Sequence, residues 1–242
     1  MDACDDVDAV NQIDINVDIN ATESCLRDDE KSEFGWISSF DALSSQLQDE
    51  KIKGLAQVLT QSLSRRNVVP YAVLAKLPRD AMTNLLEILV RDNALTDNIV
   101  ARSLTIDRVS LILRGAYRLR RSVLLMVSRA CPRLQIVDVS DCKQVNNRFV
   151  RSVFAGCRSL NVLRLDGCCK ISDSAFEHDL FENSSHGLVG LTELSIAKCS
   201  QITPLAVSKI IKTVSCLREF DISYCRQLDD EIVSQLAFVE KL

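Results

Sequence analysis

The stretch LNVLRLDGC, residues 160–168, sets the pattern that decides the fold. A leucine is followed three and five positions later by two more apolar residues, and eight positions later by cysteine. The same pattern occurs in LQIVDVSDC (134–142), LTELSIAKC (191–199) and LREFDISYC (217–225), and the terminal cysteines are 26, 31 and 26 residues apart. Recurrence at such a period is typical of a solenoid, in which each unit buries its apolar face only against its neighbours.

This pattern predicts an α/β fold, a leucine-rich repeat solenoid shaped as a horseshoe. Short parallel strands should line the concave side, and helices should return the chain along the convex side. A weaker unit precedes the four, with Leu111, Leu113 and Ala116 in its columns and alanine in place of cysteine. We therefore count about five units over residues 108–242. The longer third unit carries five extra residues around His178–Gly187, which we interpret as a surface loop.

Each unit should hold a helix between its cysteine and the next strand. The position five residues after the cysteine column holds three residue types that favour a helix start and one typical first-turn proline. These residues are Asn147, Asp173, Pro204 and Asp230.

The repeat cysteines are predicted to be small buried hydrophobic residues. Cys131 and Cys157 share a column with Leu188 and Val214, so cysteine alternates there with aliphatic residues. The paired spacing of a structural zinc site is missing, and no nucleophile motif occurs, so we predict no metal, no cofactor and no catalytic residue. Cys169 falls outside the core columns and is expected to be an exposed thiol.

The first hundred residues differ from the repeats. Residues 1–33 are predicted to be a disordered acidic tail, because the first 30 contain ten acidic residues and one basic residue. Residues 34–107 are predicted to form a helical N-terminal cap. Apolar residues return at helical intervals from Phe34 to Leu63, which predicts one or two amphipathic helices with an interruption near Gly54.

A second helical segment should lie directly before the repeats. Pro78 suits the first turn of a helix, Asn93 would end it, and Thr96 could cap a second short helix with Asp97 in its first turn. The inner face of the first helix would be Ala81, Leu85, Leu86 and Leu89. We expect this helical pair to cover the first repeat, as a solenoid's N-terminal cap must.

The composition of the chain indicates the cellular compartment in which we expect it. The chain has 242 residues, a net charge of −4 and ten cysteines. It has no apolar run of the roughly 18 residues that a membrane span needs, and its N-terminus does not look like a signal peptide. Many cysteines without a secretion signal favour reduced thiols, and hence the cytosol or nucleus.

The segment LPRDAMTNLLEILVRDNALTD, residues 77–97, followed by cysteine-type repeats, resembles the antagonist of mitotic exit network family. The resemblance is carried by LNVLRLDGCCKISD (160–173) and by the lead-in residues Leu77, Pro78, Leu85, Leu95, Thr96 and Asp97. It implies a protein-interaction module in cell-cycle control, related to the F-box substrate receptors of ubiquitin ligases. It also implies an adaptor bound through residues 34–104, and it brings no catalytic residues.

The same lead-in is also similar to the leucine-rich repeat subunit of global-genome excision repair. This second resemblance implies an alternative function, as a subunit of a DNA-repair or chromatin-associated ubiquitin ligase complex.

The concave face is the predicted binding site for a protein partner. It should present charged and aromatic side chains from several units, as protein interfaces do. The candidates are Asp138, Arg164, Asp166, Glu193, Lys198, Glu219, Asp221 and Tyr224. Arg164 and Tyr224 are the preferred anchors, because arginine and tyrosine are enriched among binding hot spots. An ordinary solvated sheet face would have a similar composition, and that alternative stays open.

The first unit is strongly basic. Residues 108–133 contain seven arginines and no acidic residue. The candidates for a basic surface are Arg114, Arg118, Arg120 and Arg121. They could form a solvated helix face, bind nucleic acid, or bind an acidic partner or the chain's own tail. Only Tyr117 is available nearby for base stacking, and the chain is acidic overall, which disfavours nucleic acid.

Overall fold

The repeats form one parallel sheet. The computed structural model of the chain describes residues 35–64, 74, 76–177, 190–229 and 232. Five three-residue strands lie side by side in chain order: β1 (Ser110–Ile112), β2 (Ile136–Asp138), β3 (Val162–Arg164), β4 (Glu193–Ser195) and β5 (Glu219–Asp221). The central residue of each strand pairs with that of the next, for example Val137 with Leu163. The predicted leucine-rich repeat fold is confirmed.

Helices precede the sheet and return the chain between strands. The described α-helices before β1 are α1 (Ser45–Ser64), α2 (Arg79–Arg91) and α3 (Asp97–Ser103). Three more follow β1, β2 and β4: α4 (Arg121–Ala130), α5 (Asn147–Gly156) and α6 (Pro204–Thr213). A 3-10 helix spans Gly35–Ala42. None of these described helices is long and apolar enough to cross a membrane.

In the third unit, the described residues after β3 include a short 3-10 helix. Only a 3-10 helix, Asp173–Phe176, follows β3 before the described residues stop at 177. Its Phe176 is buried and lies 6.3 Å from the Phe154 ring of α5. The short element therefore still supplies an apolar residue to the core. The predicted surface loop at His178–Gly187 lies outside the described residues.

The N-terminal helices cover the first repeat. The inner face predicted for α2, which comprises Ala81, Leu85, Leu86 and Leu89, is buried. This helix contacts both α1 and β1. Asn93 follows it with a φ of 54°, a left-handed conformation that commonly ends a helix. The predicted interruption at Gly54 is wrong: α1 runs through it, because one exposed glycine costs a helix only about 1 kcal/mol.

The position of Thr96 was predicted correctly, but its bond was not. Thr96 is the residue that precedes α3, yet its hydroxyl oxygen makes no capping bond and is buried without a described partner. The next residue, Asp97, does make hydrogen bonds, and they lead to the first repeat unit. Its carboxylate accepts a 2.9 Å hydrogen bond from the backbone nitrogen of Arg120 and pairs with the Arg120 guanidinium. This contact joins the cap to the first unit.

The repeat cysteines are buried and hydrogen-bonded between units. Each thiol donates to a backbone carbonyl at the end of the preceding strand. The Sγ–O distances are 3.1 Å (Cys142 to Leu113), 3.3 Å (Cys168 to Val139), 3.3 Å (Cys199 to Leu165) and 3.2 Å (Cys225 to Ile196). The predicted burial is confirmed. Each thiol adds a second hydrogen bond to a carbonyl that already accepts a backbone N–H, as the Leu113 carbonyl does from Ala116.

Pro204 begins α6 as the predicted first-turn proline, whereas the cap of α5 lies one residue earlier than predicted. Asn146, not Asn147, caps α5 by accepting a 3.2 Å bond from the Phe149 nitrogen. Thr203 caps α6 in the same way, by accepting from the Leu205 nitrogen. The side chain of Asn147 is thereby free to reach the next unit, where its Oδ1 accepts a 2.9 Å bond from the Ser172 nitrogen.

Candidate functional site

The strands present two columns of side chains on the concave face. Parallel pairing without a register shift aligns one residue of each strand with its neighbour. The first column reads Asp138, Arg164, Ser195 and Asp221. The second column reads Ile136, Val162, Glu193 and Glu219. The structure thus brings five of the predicted concave residues onto one sheet, while Asp166, Lys198 and Tyr224 lie in the turns that follow the strands.

Arg164 lies at the centre of this face. Its Nε donates a 2.6 Å hydrogen bond to the Glu193 carboxylate on the next strand. That bond, and after it the nearby carboxylates, raise the pKa of Arg164, so the guanidinium stays charged. The side chain remains 43% exposed. The carboxylate therefore orients the guanidinium while leaving much of its surface open to a partner.

Two of the predicted residues, Asp138 and Asp166, make hydrogen bonds mainly within the protein. Asp138 is only 5% exposed, and its carboxylate accepts a 3.0 Å bond from the Ser140 nitrogen. Asp166 is half-buried, and it accepts a hydrogen bond from the Ser195 hydroxyl and one of 3.2 Å from the Ala197 nitrogen. Both carboxylates shape the turns after the strands and offer a partner little surface.

A groove of about 410 Å³ runs along the concave face. Its charged lining consists of Arg114, Arg164, Asp166, Glu193, Glu219 and Asp221. Glu219 and Asp221 are exposed, whereas the other two acids are half-buried. Four carboxylates against two guanidinium groups make the groove acidic at its β5 end, which favours cationic groups on a partner.

Lys198 and Tyr224 have strained backbones. Each immediately precedes a repeat cysteine and has a φ of 60°. The other residues of this column, Gly115, Asp141 and Gly167, also have a positive φ. A left-handed conformation costs a non-glycine residue roughly 1–2 kcal/mol. Tyr224 is 82% exposed, so packing does not compensate. The sequence analysis missed this strain, although the two glycines in the column were the available signal.

The arginines of the first unit are not all on the surface. Arg114, Arg118, Arg120 and Arg121 are exposed. Arg108, one of the seven arginines counted in this region, is only 4% exposed and does not belong to the surface. Its guanidinium donates to the Ser103 carbonyl at 2.7 Å and to the Ser110 carbonyl at 3.0 Å. The residue therefore joins α3 to β1 inside the fold.

Cysteine and histidine are the remaining residue types that could bind a metal or react. Cys169 is exposed as predicted, and Cys216 is exposed as well. Within the described ranges, no three side chains of His, Cys, Asp or Glu lie close enough together to hold a metal ion. Both histidines, His178 and His186, lie outside those ranges.

Comparison with known proteins supports the repeat fold. The family described as Leucine Rich repeat matches residues 215–237, which include the last cysteine unit. The chain is also similar to a chain in the crystal structure of the Rad7 and Elc1 complex in yeast. The TM-score is 0.56 with 19% identity, over 76% of this chain and 43% of that one. This chain thus spans less than half of that relative's length. No curated protein sequence matches.

These similarities show the fold. The narrower resemblance to the antagonist of mitotic exit network family stays a prediction.

Proposed function

We propose that the chain is a non-enzymatic protein-interaction module whose concave face holds a partner protein. The observation that carries this proposal is Tyr224, which is almost fully exposed on a left-handed backbone where glycine would be less strained. Strain that packing does not compensate is typical of functional positions. Arg164, which Glu193 orients within the groove, supplies a second anchor of the type that dominates binding hot spots.

We further propose that the partner belongs to ubiquitin-dependent cell-cycle regulation, in which this chain is a substrate-recognition or inhibitory subunit. The resemblance of residues 77–97 and of the repeats to the antagonist of mitotic exit network family supports this assignment. A relative of similar fold that was solved in complex with a second protein is consistent with it. The module would act in the cytosol or nucleus, where its thiols stay reduced.

Affinity capture with two matched double variants tests the concave face. The variant R164E/Y224A reverses one charge and removes one exposed ring from that face. The control R148E/L205A makes the same kind of change on helices α5 and α6, where both residues are exposed. Because hot-spot residues cost 2 kcal/mol or more, we expect the concave variant to retain less than about a tenth of the captured partner. Equal retention by both variants would refute the proposal.

A ligase adaptor would bind through the helices of residues 34–104. A surface cleft of about 360 Å³ between α1 and α2 is lined by Asp49, Lys53, Glu87 and Arg91, and is a suitable place for it. Co-purification of an adaptor or cullin that is lost in E87R/R91E but kept in R164E/Y224A would support the adaptor role. Retention in both variants would place the adaptor elsewhere.

The alternative is a subunit of a DNA-repair or chromatin-associated ubiquitin ligase complex. The observation in its favour is the exposure of Arg118, Arg120 and Arg121 on the first unit. Phosphate contacts release counterions, so this function requires DNA binding that weakens steeply with salt and is lost when the three arginines are replaced. Salt-independent or absent DNA binding would eliminate it.

A further inference from the structure

A cationic patch surrounds Tyr117 at one edge of the solenoid. The ring is 46% exposed. The Arg118 guanidinium lies 5.9 Å and the Lys143 ammonium 6.0 Å from its centroid. Lys170, one unit further on, continues the row, because its ammonium donates a 3.0 Å hydrogen bond to Gln144 beside Lys143. We call Tyr117, Arg118, Lys143 and Lys170 the turn patch, which crosses three units.

The cations of the turn patch have no carboxylate partner among the described residues. The Arg118 guanidinium reaches only the Asn93 carbonyl, at 3.4 Å, besides the Tyr117 ring. The nearest acids along the chain are engaged or isolated: Asp97 pairs with Arg120, and Asp141 is the single exposed carboxylate in these turns. Three cations against the one exposed carboxylate of Asp141 leave the turn patch with a net positive charge, suited to an acidic ligand.

We propose that the ligand is the chain's own N-terminal segment, residues 1–30. This segment contains ten acidic residues and one basic residue, the opposite charge to the patch. It precedes the 3-10 helix Gly35–Ala42 in the chain. The acidic segment covers the turn patch and keeps other polyanions away from it.

The covalent link between segment and patch raises the fraction of molecules in which this weak electrostatic contact forms. An extended chain of 30 residues reaches about 100 Å, well beyond the radius of gyration of about 16 Å expected for some 200 compact residues. A covalent tether of this length holds its end at roughly millimolar effective concentration. A contact with a dissociation constant of about 0.1 mM would then be occupied about ten times more often than not.

Carbodiimide cross-linking of the intact chain tests the contact directly. The reagent activates a carboxylate, and the amide bond forms only with an amine in direct contact. We expect Lys143 and Lys170 to couple to acids of residues 1–30, and the coupling to fall several-fold when about 1 M salt shortens the Debye length to about 3 Å. Coupling no greater than that of Lys212, an exposed lysine on α6, would overturn the proposal.

A charge-matched pair of variants separates the turn patch from general electrostatics. R118E/K143E reverses two patch cations, and R129E/R133E reverses two other exposed cations of the same unit. Both are surface changes that should preserve the circular dichroism spectrum. We expect coupling at Lys170 to fall at least fivefold in the first variant and to stay within twofold in the second. An equal loss in both would contradict a specific site.

The third test is competition between residues 1–30 and an added acidic peptide for the turn patch. A full-length chain whose ten acids in residues 1–30 are replaced by Asn and Gln should bind a labelled oligoglutamate about tenfold more tightly than the natural chain at about 0.15 M salt. Equal affinity, or equal binding of a single-stranded oligonucleotide by both chains, would mean that the segment does not cover the patch. None of these measurements requires a concave-face partner, so their failure leaves the proposed function standing.

Discussion

Asp173 of the third unit accepts two hydrogen bonds from Thr203 of the fourth. One comes from the Thr203 backbone nitrogen at 2.8 Å, and the other from its hydroxyl. Thr203 also caps α6, so the carboxylate holds the residue at which the next helix begins. Asn147 makes the equivalent backbone contact to Ser172 one unit earlier. A polar ladder thus joins successive helix starts, in addition to the apolar core.

Replacing Asp173 by alanine should destabilise the fold. The change leaves the half-buried Thr203 nitrogen without its acceptor, which costs about 1–3 kcal/mol. Asn at this position can still accept from that nitrogen, so D173N should lose less. Denaturant unfolding of both variants measures the difference, with the exposed α2 residue change E87A as the control. If D173A unfolds at the same denaturant concentration as E87A, the ladder contributes nothing.

Stability should fall at alkaline pH because of the repeat thiols. Burial raises the pKa of Cys142, Cys157 and Cys199 from 9.0 to about 12, and that of Cys131 to about 11. Above pH 9 the unfolded chain loses thiol protons that the folded chain keeps, so the free energy of unfolding decreases as pH rises toward 12.

Two single variants assign this effect to buried thiols. C157V removes one buried ionisable group and should flatten the pH dependence, whereas the exposed C169S should not change it. Unfolding curves measured between about pH 8 and 11 provide the comparison. Identical slopes for C157V and the natural chain would contradict the assignment.

Glycine at position 198 should stabilise the protein. Relief of the left-handed strain at Lys198 outweighs the extra entropy of glycine in the unfolded chain, so we expect a gain of up to about 1 kcal/mol. The converse change G167A should destabilise, because a Cβ is strained at this positive φ and would also press against the Asp141 carboxylate. Thermal unfolding measures both. A K198G variant that melts lower than the natural chain would show that the lysine conformation is not strained.

Arg108 should be indispensable to the junction between the cap and the repeats. R108M keeps most of the volume but leaves the Ser103 and Ser110 carbonyls without their donor, which should cost about 3 kcal/mol in total. R133E, on an exposed arginine of the same unit, should have little effect. Hydrogen exchange in α3 and β1 provides the readout. Unchanged protection in R108M would mean that the buried guanidinium is not needed there.

The sequence predicted the parts of the fold that depend on periodicity. Leucine columns such as Leu111, Val137 and Leu163 identify the strands, and the cysteine column identifies buried positions. The inner face of α2 followed from helical spacing in the same way. These predictions succeed because burial repeats with the period of the element, and the period is visible in a single sequence.

Sequence could not predict which polar atoms pair across units. The Asn147 side chain looked like a helix cap but bonds to a unit 25 residues further on, and Arg108 looked like a surface cation but bonds inward. The left-handed backbone of Tyr224 was missed for a different reason, because the signal from Gly115 and Gly167 in its column was not used. The bonds between units depend on the distance between stacked units, which residue types alone do not specify.

The concave face is most directly tested by photo-cross-linking in cells. A photoreactive amino acid at position 162, in the central strand of that face, should link the chain to a partner protein. The same group at the exposed position 148 of α5 should give no such product. A partner linked from position 148 but not from position 162 would contradict a binding site on the concave sheet.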